Sequence, residues 1–315
     1  MIENLLSISE PWLQYAIRIH LLDESRDSLT DLRNEALKDG KIQSFLKDVS
    51  DFHGVLVSNH KNPELPVHKL LFLLDLGFDT TIPEIEKAVK QIMNHKDAHG
   101  VYQSMTNIPK HFGGKGENTF GWCLCDAPLL LRALLRAKID YQEHIKQGVS
   151  YLTTLQKEQG FPCAVSEEHG KFRGPGRKDD GCPYATLVML NLLAEIDEYR
   201  DSDIVLQGID VILSLWENSL EKHPYMFYMG TDFRKLKAPA IFYDIVSVAD
   251  CLSKFERAKT DSRFHEMIDI IRSKQDAEGF FTPESVYQKC KGCDFGQKKN
   301  VSPYLSFLCI RLLAQ

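Results

Sequence analysis

The sequence predicts an all-α fold, an (α/α)6 toroid of alternating inner and outer helices, as a single domain over residues 1–315. The first observation behind this prediction is a set of six apolar segments with helical spacing. The second is that more polar, amphipathic segments separate them. A helix that is apolar on all faces is typical of the interior, whereas one with a single apolar face is typical of an outer layer.

Each of the six inner segments begins at a proline, and successive prolines are 55 to 64 residues apart. Proline is favoured in the first turn of a helix because it has no N–H to leave unpaired and because its φ is already helical. Recurrence at a nearly constant interval predicts a repeat architecture. The six prolines are Pro11, Pro66, Pro128, Pro183, Pro239 and Pro303.

The outer helices are predicted from apolar residues that recur every three or four positions, as in Ile209, Ile212, Leu213 and Trp216. No segment after the last inner helix supplies a sixth outer helix. An open helical solenoid buries the same faces and is the alternative fold, but an open stack needs a polar capping repeat that the sequence lacks. The predicted outer helices cover residues 28–49, 83–95, 141–157, 203–220 and 261–274.

Long segments precede four of the inner helices, whereas the connections at the opposite ends of the inner helices are short. Parallel inner helices would place all four segments at one end of the toroid. Long loops on a rigid scaffold usually carry function. The site is therefore predicted where the inner helices begin, in the segments 96–126, 158–182, 221–238 and 275–302.

Basic residues are concentrated in three of these long segments. Helix N-termini carry a partial positive charge, and together with Arg and Lys they form anion sites. The pattern predicts a site for a diphosphate, phosphate or carboxylate group, and the alternative is that the same cations pair with neighbouring aspartates. The predicted anion ligands are Arg173, Arg177, Lys178, Arg234, Lys235, Lys237 and Lys298.

The composition limits the classes of partner. Lys and Arg number 38 against 44 Asp and Glu, for a net charge of −6, which argues against a dedicated nucleic-acid-binding protein. No apolar run approaches the length of a transmembrane helix, and no basic leader precedes an apolar stretch. We therefore expect a cytoplasmic protein whose eight cysteines are mostly reduced.

The segment Gly176 to Tyr184, GRKDDGCPY, resembles a loop of the terpenoid cyclase and protein prenyltransferase superfamily of α/α toroids. The resemblance extends along most of the chain as glycine-aromatic turns before apolar inner helices. It implies that Arg177, Lys178 and Tyr184 contact a substrate diphosphate and that Asp180 and Cys182 bind zinc. The third zinc ligand of the family, a histidine, has no counterpart near Ser302, Pro303 and Tyr304, and the cyclase motif DxDD is absent. Zinc would need another ligand, from Cys290, Cys293, Asp294 or His111.

The predicted function is a prenyltransferase-like or terpenoid-cyclase-like enzyme that binds a small anionic, isoprenoid substrate. Acidic or basic catalysis is assigned to Asp180, Asp126, Asp294 and His111, and aromatic substrate contacts to Tyr184, Tyr243 and Tyr304. One alternative is a carbohydrate-active (α/α)6 enzyme with paired carboxylates. Another is a toroid that binds a partner without catalysis.

Overall fold

The fold is mostly helical. The computed structural model describes residues 1–57, 59–172, 180–219 and 229–315, and within these ranges none of the helices is long and apolar enough to cross a membrane. The α-helices are α1 Ile2–Ser7, α2 Pro11–Leu21, α3 Thr30–Ala36, α4 Gly40–Val49, α5 Pro66–Asp75, α6 Pro83–Met93, α7 Ala127–Arg136, α8 Lys146–Thr153, α9 Pro183–Leu193, α10 Asp203–Glu217, α11 Ile245–Leu252, α12 Glu256–Lys259, α13 Ser262–Arg272 and α14 Pro303–Leu313.

Prolines start most of the predicted inner helices. Helices α2, α5, α9 and α14 begin at the expected proline, and Pro128 is the second residue of α7. The start predicted at Pro239 is wrong, because α11 begins at Ile245. The Asp244 side chain accepts a hydrogen bond from the Ser247 N–H at 2.9 Å and caps the helix there. The residues from Pro239 to Asp244 instead form an irregular segment.

The outer helices α6, α8, α10 and α13 lie within the predicted segments. The first predicted outer helix, residues 28–49, is instead divided into α3 and α4. Asp39 causes this division because its carboxylate accepts hydrogen bonds from the backbone N–H groups of Lys41 and Ile42, at 2.8 and 3.1 Å. The carboxylate thus starts a new helix at Gly40.

A small antiparallel sheet lies in the long segment before α7 and was not predicted. Strand β1, Ser104–Asn107, pairs with β2, Asn118–Gly121. Two strands of four residues are too short for period-two alternation to be recognised in the sequence.

The inner helices pack on one another in succession. Contacts join α5 to α7, α7 to α9, α9 to α11, α11 to α14, and α14 to α2. Helices α2 and α5 meet through the rings of Trp12 and Phe72, whose centroids are 5.7 Å apart. The short helix α1 packs on both α2 and α14.

Phe72 tests the packing at this junction. Its ring contacts those of Trp12, Phe45 and Tyr304, so Phe72→Ala should lower the free energy of unfolding by roughly 3–5 kcal/mol. The same truncation at Phe112, which is 62% exposed, should change it by less than about 0.5 kcal/mol. Urea denaturation of both variants measures the difference, and equal losses would contradict the packing described.

Candidate functional site

A cavity of about 340 Å³ lies between the six inner helices, and each of them contributes to its lining. This volume is at the lower end of the range for small-molecule sites. Between its two ends the cavity is lined by apolar side chains of the inner helices. These helices are apolar on the sides that face the cavity as well as on their outer sides. The apolar lining residues of α5, α7, α9, α11 and α14 are Leu71, Phe72, Leu74, Leu129, Leu187, Val188, Val246 and Leu308.

Aromatic side chains line the end of the cavity nearest the starts of the inner helices. Tyr184 lies in the first turn of α9, donates a hydrogen bond to the Ile241 carbonyl at 3.0 Å and has its ring 4.6 Å from that of Phe242. Tyr304, in the first turn of α14, packs against Phe72 with ring centroids 5.1 Å apart. The irregular segment before α11 therefore lies against α9 and forms part of the lining at this end.

Charged side chains line the opposite end, where the inner helices finish. Arg132 and Arg136 of α7 both bind the Glu195 carboxylate, through Nε–Oε1 distances of 2.6 and 2.8 Å. Arg136 also pairs with Asp75 at the end of α5. The Asp75 carbonyl in turn lies 2.7 Å from Nε2 of His20, in the last turn of α2. Helices α2, α5, α7 and α9 are thus joined at their C-terminal ends.

The remaining two inner helices enter the same network. Lys254, just after α11, lies 2.7 Å from Oδ1 of Asn191 on α9 and 2.9 Å from Oδ2 of Asp250 on α11. Asp250 also lies 3.7 Å from the guanidinium of Arg311 on α14. We call the network of His20, Asp75, Arg132, Arg136, Asn191, Glu195, Asp250, Lys254 and Arg311 the C-terminal belt.

Two acids of the C-terminal belt, Asp250 and Glu195, are held in their ionised form. Burial alone would raise the pKa of Asp250, but Lys254 and Arg311 outweigh it and hold the pKa well below its ordinary value. Burial would also raise the pKa of Glu195, and the charges of Arg132 and Arg136 lower it instead. Both carboxylates are therefore counter-ions for the basic groups and not proton donors at neutral pH.

Positive charge exceeds negative charge along this part of the cavity. In the described lining the carboxylates are Asp75 and Asp250, and outside it Glu195 pairs with Arg132 and Arg136 and Asp79 with Arg26. Cations are favoured at these positions because a helix carries partial negative charge at its C-terminal end. Lys138 makes no ion pair within the described residues. The cationic lining residues are Arg26, Arg132, Arg136, Lys138, Lys254 and Arg311.

The predicted anion ligands that are described do not line this cavity. Lys235 pairs with Asp232 at 2.6 Å, Lys237 lies over the ring of Tyr287 at 3.6 Å, and Arg234 lies over that of Trp216 at 4.9 Å. Lys298 is exposed on its loop. The remaining predicted anion ligands, Arg173, Arg177 and Lys178, lie outside the described residues.

The aromatic candidates differ in position. Tyr184 and Tyr304 line the cavity, as described above. Tyr243 is buried outside it, with its ring 5.7 Å from that of Phe233. Two of the three predicted aromatic contacts are therefore available to a molecule in the cavity.

The candidate acids near the helix starts bind backbone groups. Asp126 accepts a hydrogen bond from the Cys123 N–H at 2.8 Å, and Asp294 accepts from the Tyr304 N–H at 3.0 Å and from the Ser302 hydroxyl at 2.6 Å. Asp180 is partly buried before α9, and His111 is exposed beside Phe112. None of these four side chains lines the cavity.

The described residues contain no set of ligands for the zinc ion that the family resemblance implies. No group of three His, Cys, Asp or Glu side chains within them is arranged to hold a metal ion. Cys182, one of the two expected ligands, instead caps α9, since its sulfur accepts a hydrogen bond from the Ala185 N–H at 3.4 Å.

Sequence reasoning missed the C-terminal belt, although a signal for it exists. Arg132, Arg136 and Arg311 interrupt segments that are otherwise apolar; Arg136 and Arg311 lie in the last turns of α7 and α14, and Arg132 lies one turn before Arg136. A charged residue in a helix that is buried on all sides needs either a buried partner or a polar cavity.

No protein-family model matches the chain, and no curated protein is significantly similar to it. Its structure is similar to the crystal structure of a protein from Actinoplanes, with 11% sequence identity and a TM-score of 0.44, over 97% of this chain and 89% of that chain. A similarity at this level carries no information about the site. Function is therefore inferred from the cavity itself.

Asp126 should make stability depend on pH. Burial raises its pKa to about 7, whereas in the unfolded chain the group titrates near 3.9. Between these values the folded protein holds a proton that the unfolded chain has lost, so stability falls as the pH rises. The side chain in Asp126→Asn cannot ionise. When the pH is raised from 5 to 8, the free energy of unfolding of this variant should therefore fall by roughly 1–3 kcal/mol less than that of wild type.

Urea denaturation at pH 5 and pH 8 measures this difference. Asp201→Asn, at an exposed position, is the control and should keep the wild-type pH dependence. Parallel pH profiles for Asp126→Asn and wild type would contradict the prediction.

Proposed function

We propose that the six inner helices close into an (α/α)6 toroid whose cavity binds a small amphiphilic anion of the prenyl diphosphate type. The toroid is supported by the succession of contacts from α5 through α14 to α2, together with the contact between Trp12 and Phe72. It is also supported by the C-terminal belt, which brings the same ends of all six helices together.

The observation that carries the ligand proposal is the separation of apolar and cationic lining within one cavity. Aliphatic and aromatic walls suit a hydrocarbon chain, whereas an excess of Arg and Lys at one end suits a multiply charged head group. Arginine is well matched to diphosphate because its guanidinium donates two parallel hydrogen bonds. The small volume favours a short isoprenoid.

This proposal reverses the orientation predicted from the sequence. The diphosphate lies at the C-terminal belt, and the isoprenoid chain points toward Tyr184 and Tyr304. Cations placed around a departing diphosphate stabilise its developing charge. The aromatic rings at the other end of the cavity can stabilise the positive charge once it has moved along the isoprenoid, away from the departing diphosphate. The geometry thus supports ionisation of an allylic diphosphate as the reaction.

Carbohydrate chemistry is less well supported by the same lining. A glycosidase needs a carboxylic acid of raised pKa beside an ionised carboxylate. Asp250 has a lowered pKa, and Asp75 is paired with Arg136. The lining acids are therefore better suited to pair with the basic side chains than to catalyse cleavage of a sugar.

Arg311 provides the test. Calorimetric titration with geranyl and farnesyl diphosphate should give binding that Arg311→Gln weakens about tenfold or more, because a hydrogen bond between charged groups is lost. Lys298→Gln removes an exposed cation from the other end of the molecule and should change Kd less than about twofold. Farnesol lacks the diphosphate, and inorganic diphosphate lacks the isoprenoid chain. Each should therefore bind more weakly than farnesyl diphosphate.

Two outcomes would overturn the proposal. One is that neither prenyl diphosphate binds, and the other is that Lys298→Gln weakens binding while Arg311→Gln does not. Release of diphosphate over time separates an enzyme from a protein that only binds the ligand.

A further inference from the structure

His68 and Tyr304 bring polar atoms into the mostly apolar part of the cavity, near the starts of the inner helices. His68 lies in the first turn of α5 and Tyr304 in the first turn of α14, and both line the cavity. Phe72 lies between them, because it follows His68 by one turn on α5 and its ring centroid is 5.1 Å from that of Tyr304. The two residues are only 5% and 4% exposed, so a molecule in the cavity is the partner within their reach.

The hydrogen bond of the His68 ring determines which of its nitrogens can accept. Nε2 of His68 lies 2.9 Å from the His60 carbonyl oxygen, and a carbonyl oxygen only accepts, so Nε2 carries the hydrogen. Burial lowers the pKa of His68 to about 4, so the ring is neutral at neutral pH and Nδ1 keeps its lone pair. Within the described ranges Nδ1 has no hydrogen-bond partner, and the protein does not enclose it. His68 therefore offers an acceptor to the cavity.

The Tyr304 hydroxyl has no hydrogen-bond partner in the described part of the chain either, and the protein does not enclose it. The Tyr184 hydroxyl differs, because it donates to the Ile241 carbonyl. A tyrosine hydroxyl can both donate and accept. Since an unpaired polar group in an apolar cavity is unfavourable, these two atoms favour a ligand that has a polar group at this end as well.

We propose that the ligand carries a hydroxyl group at the end remote from its anion, where it donates to Nδ1 of His68 and accepts from the Tyr304 hydroxyl. The proposal rests on the function proposed above, since it takes the anion to lie at the C-terminal belt. The ligand class is then a hydroxylated short isoprenoid diphosphate. A site that hydrogen-bonds a substrate hydroxyl discriminates strongly against the analogue that lacks it, because its polar groups are left unpaired.

Calorimetric titration of the wild-type chain compares geranyl diphosphate with ω-hydroxygeranyl diphosphate, which carries a hydroxyl group on its terminal carbon. The hydroxylated ligand should bind at least about tenfold more tightly. Equal or weaker binding would overturn this proposal, and the function proposed above would still stand if Arg311→Gln weakens the binding of both ligands. If neither ligand binds, both proposals fail. Because this comparison uses the unaltered chain, it does not depend on whether a variant folds.

Substitutions then assign the preference for the hydroxylated ligand. His68→Phe keeps an aromatic ring but removes the acceptor, and it should reduce the preference to less than about twofold. Tyr304→Phe removes only the hydroxyl and should reduce the preference by about threefold or more. His265→Phe, at an exposed position on α13, is the control and should keep the wild-type preference. A wild-type preference that persists in His68→Phe would overturn the role of His68.

Discussion

The pairing of half-buried charges in the C-terminal belt is the constraint on which the rest of the structure depends. Arg132 and Arg136 project from a helix that is otherwise buried among apolar neighbours, and an unpaired charge there would be strongly destabilising. Glu195 and Asp75 satisfy both arginines; Asp75 is the last residue of α5, and Glu195 lies two residues after the end of α9. Apolar contacts alone accept many arrangements of similar helices. Charge pairs between particular helices specify which helix lies beside which.

The two ends of the inner helices therefore differ in chemistry. At the C-terminal ends, long basic side chains reach into the cavity and are paired by carboxylates. At the N-terminal ends, the short side chains of Asp244 and Cys182 bind backbone N–H groups that a helix leaves unpaired, whereas Asp126 binds the N–H of Cys123 in the loop before α7. The first end presents charge to the cavity, whereas side chains at the second hold helices and loops together.

Much of the fold could be predicted from the sequence, because proline position and apolar periodicity are local properties. The starts of α2, α5, α9 and α14 follow directly from them. The start predicted at Pro239 was wrong because a proline also fits an irregular segment. The start of α11 depends instead on the cap at Asp244. The break at Asp39 has the same origin, in a side-chain hydrogen bond that competes with helix continuation.

The candidate site was harder to predict, because its position depends on which side chains face inward at each end of the helices. Clusters of Lys and Arg in loops are visible in the sequence, but Lys235 and Lys237 are occupied by Asp232 and Tyr287. The cations that line the cavity are spread over distant segments, from Arg132 to Arg311, and only the packing of the helices brings them together. Tyr184 and Tyr304 line the cavity and lie in the first turns of α9 and α14, whose starts were predicted from the sequence.

The junction of α2, α5 and α14 has a consequence for folding. Trp12 and Tyr304 are separated by nearly the whole sequence, yet their ring centroids are 5.8 Å apart. Contacts between such remote positions carry a large loop-closure cost and tend to form late. Consecutive helices can associate early as local pairs, so folding would be completed at the contact between the first and last inner helices. A truncated chain would leave apolar faces uncovered at this contact.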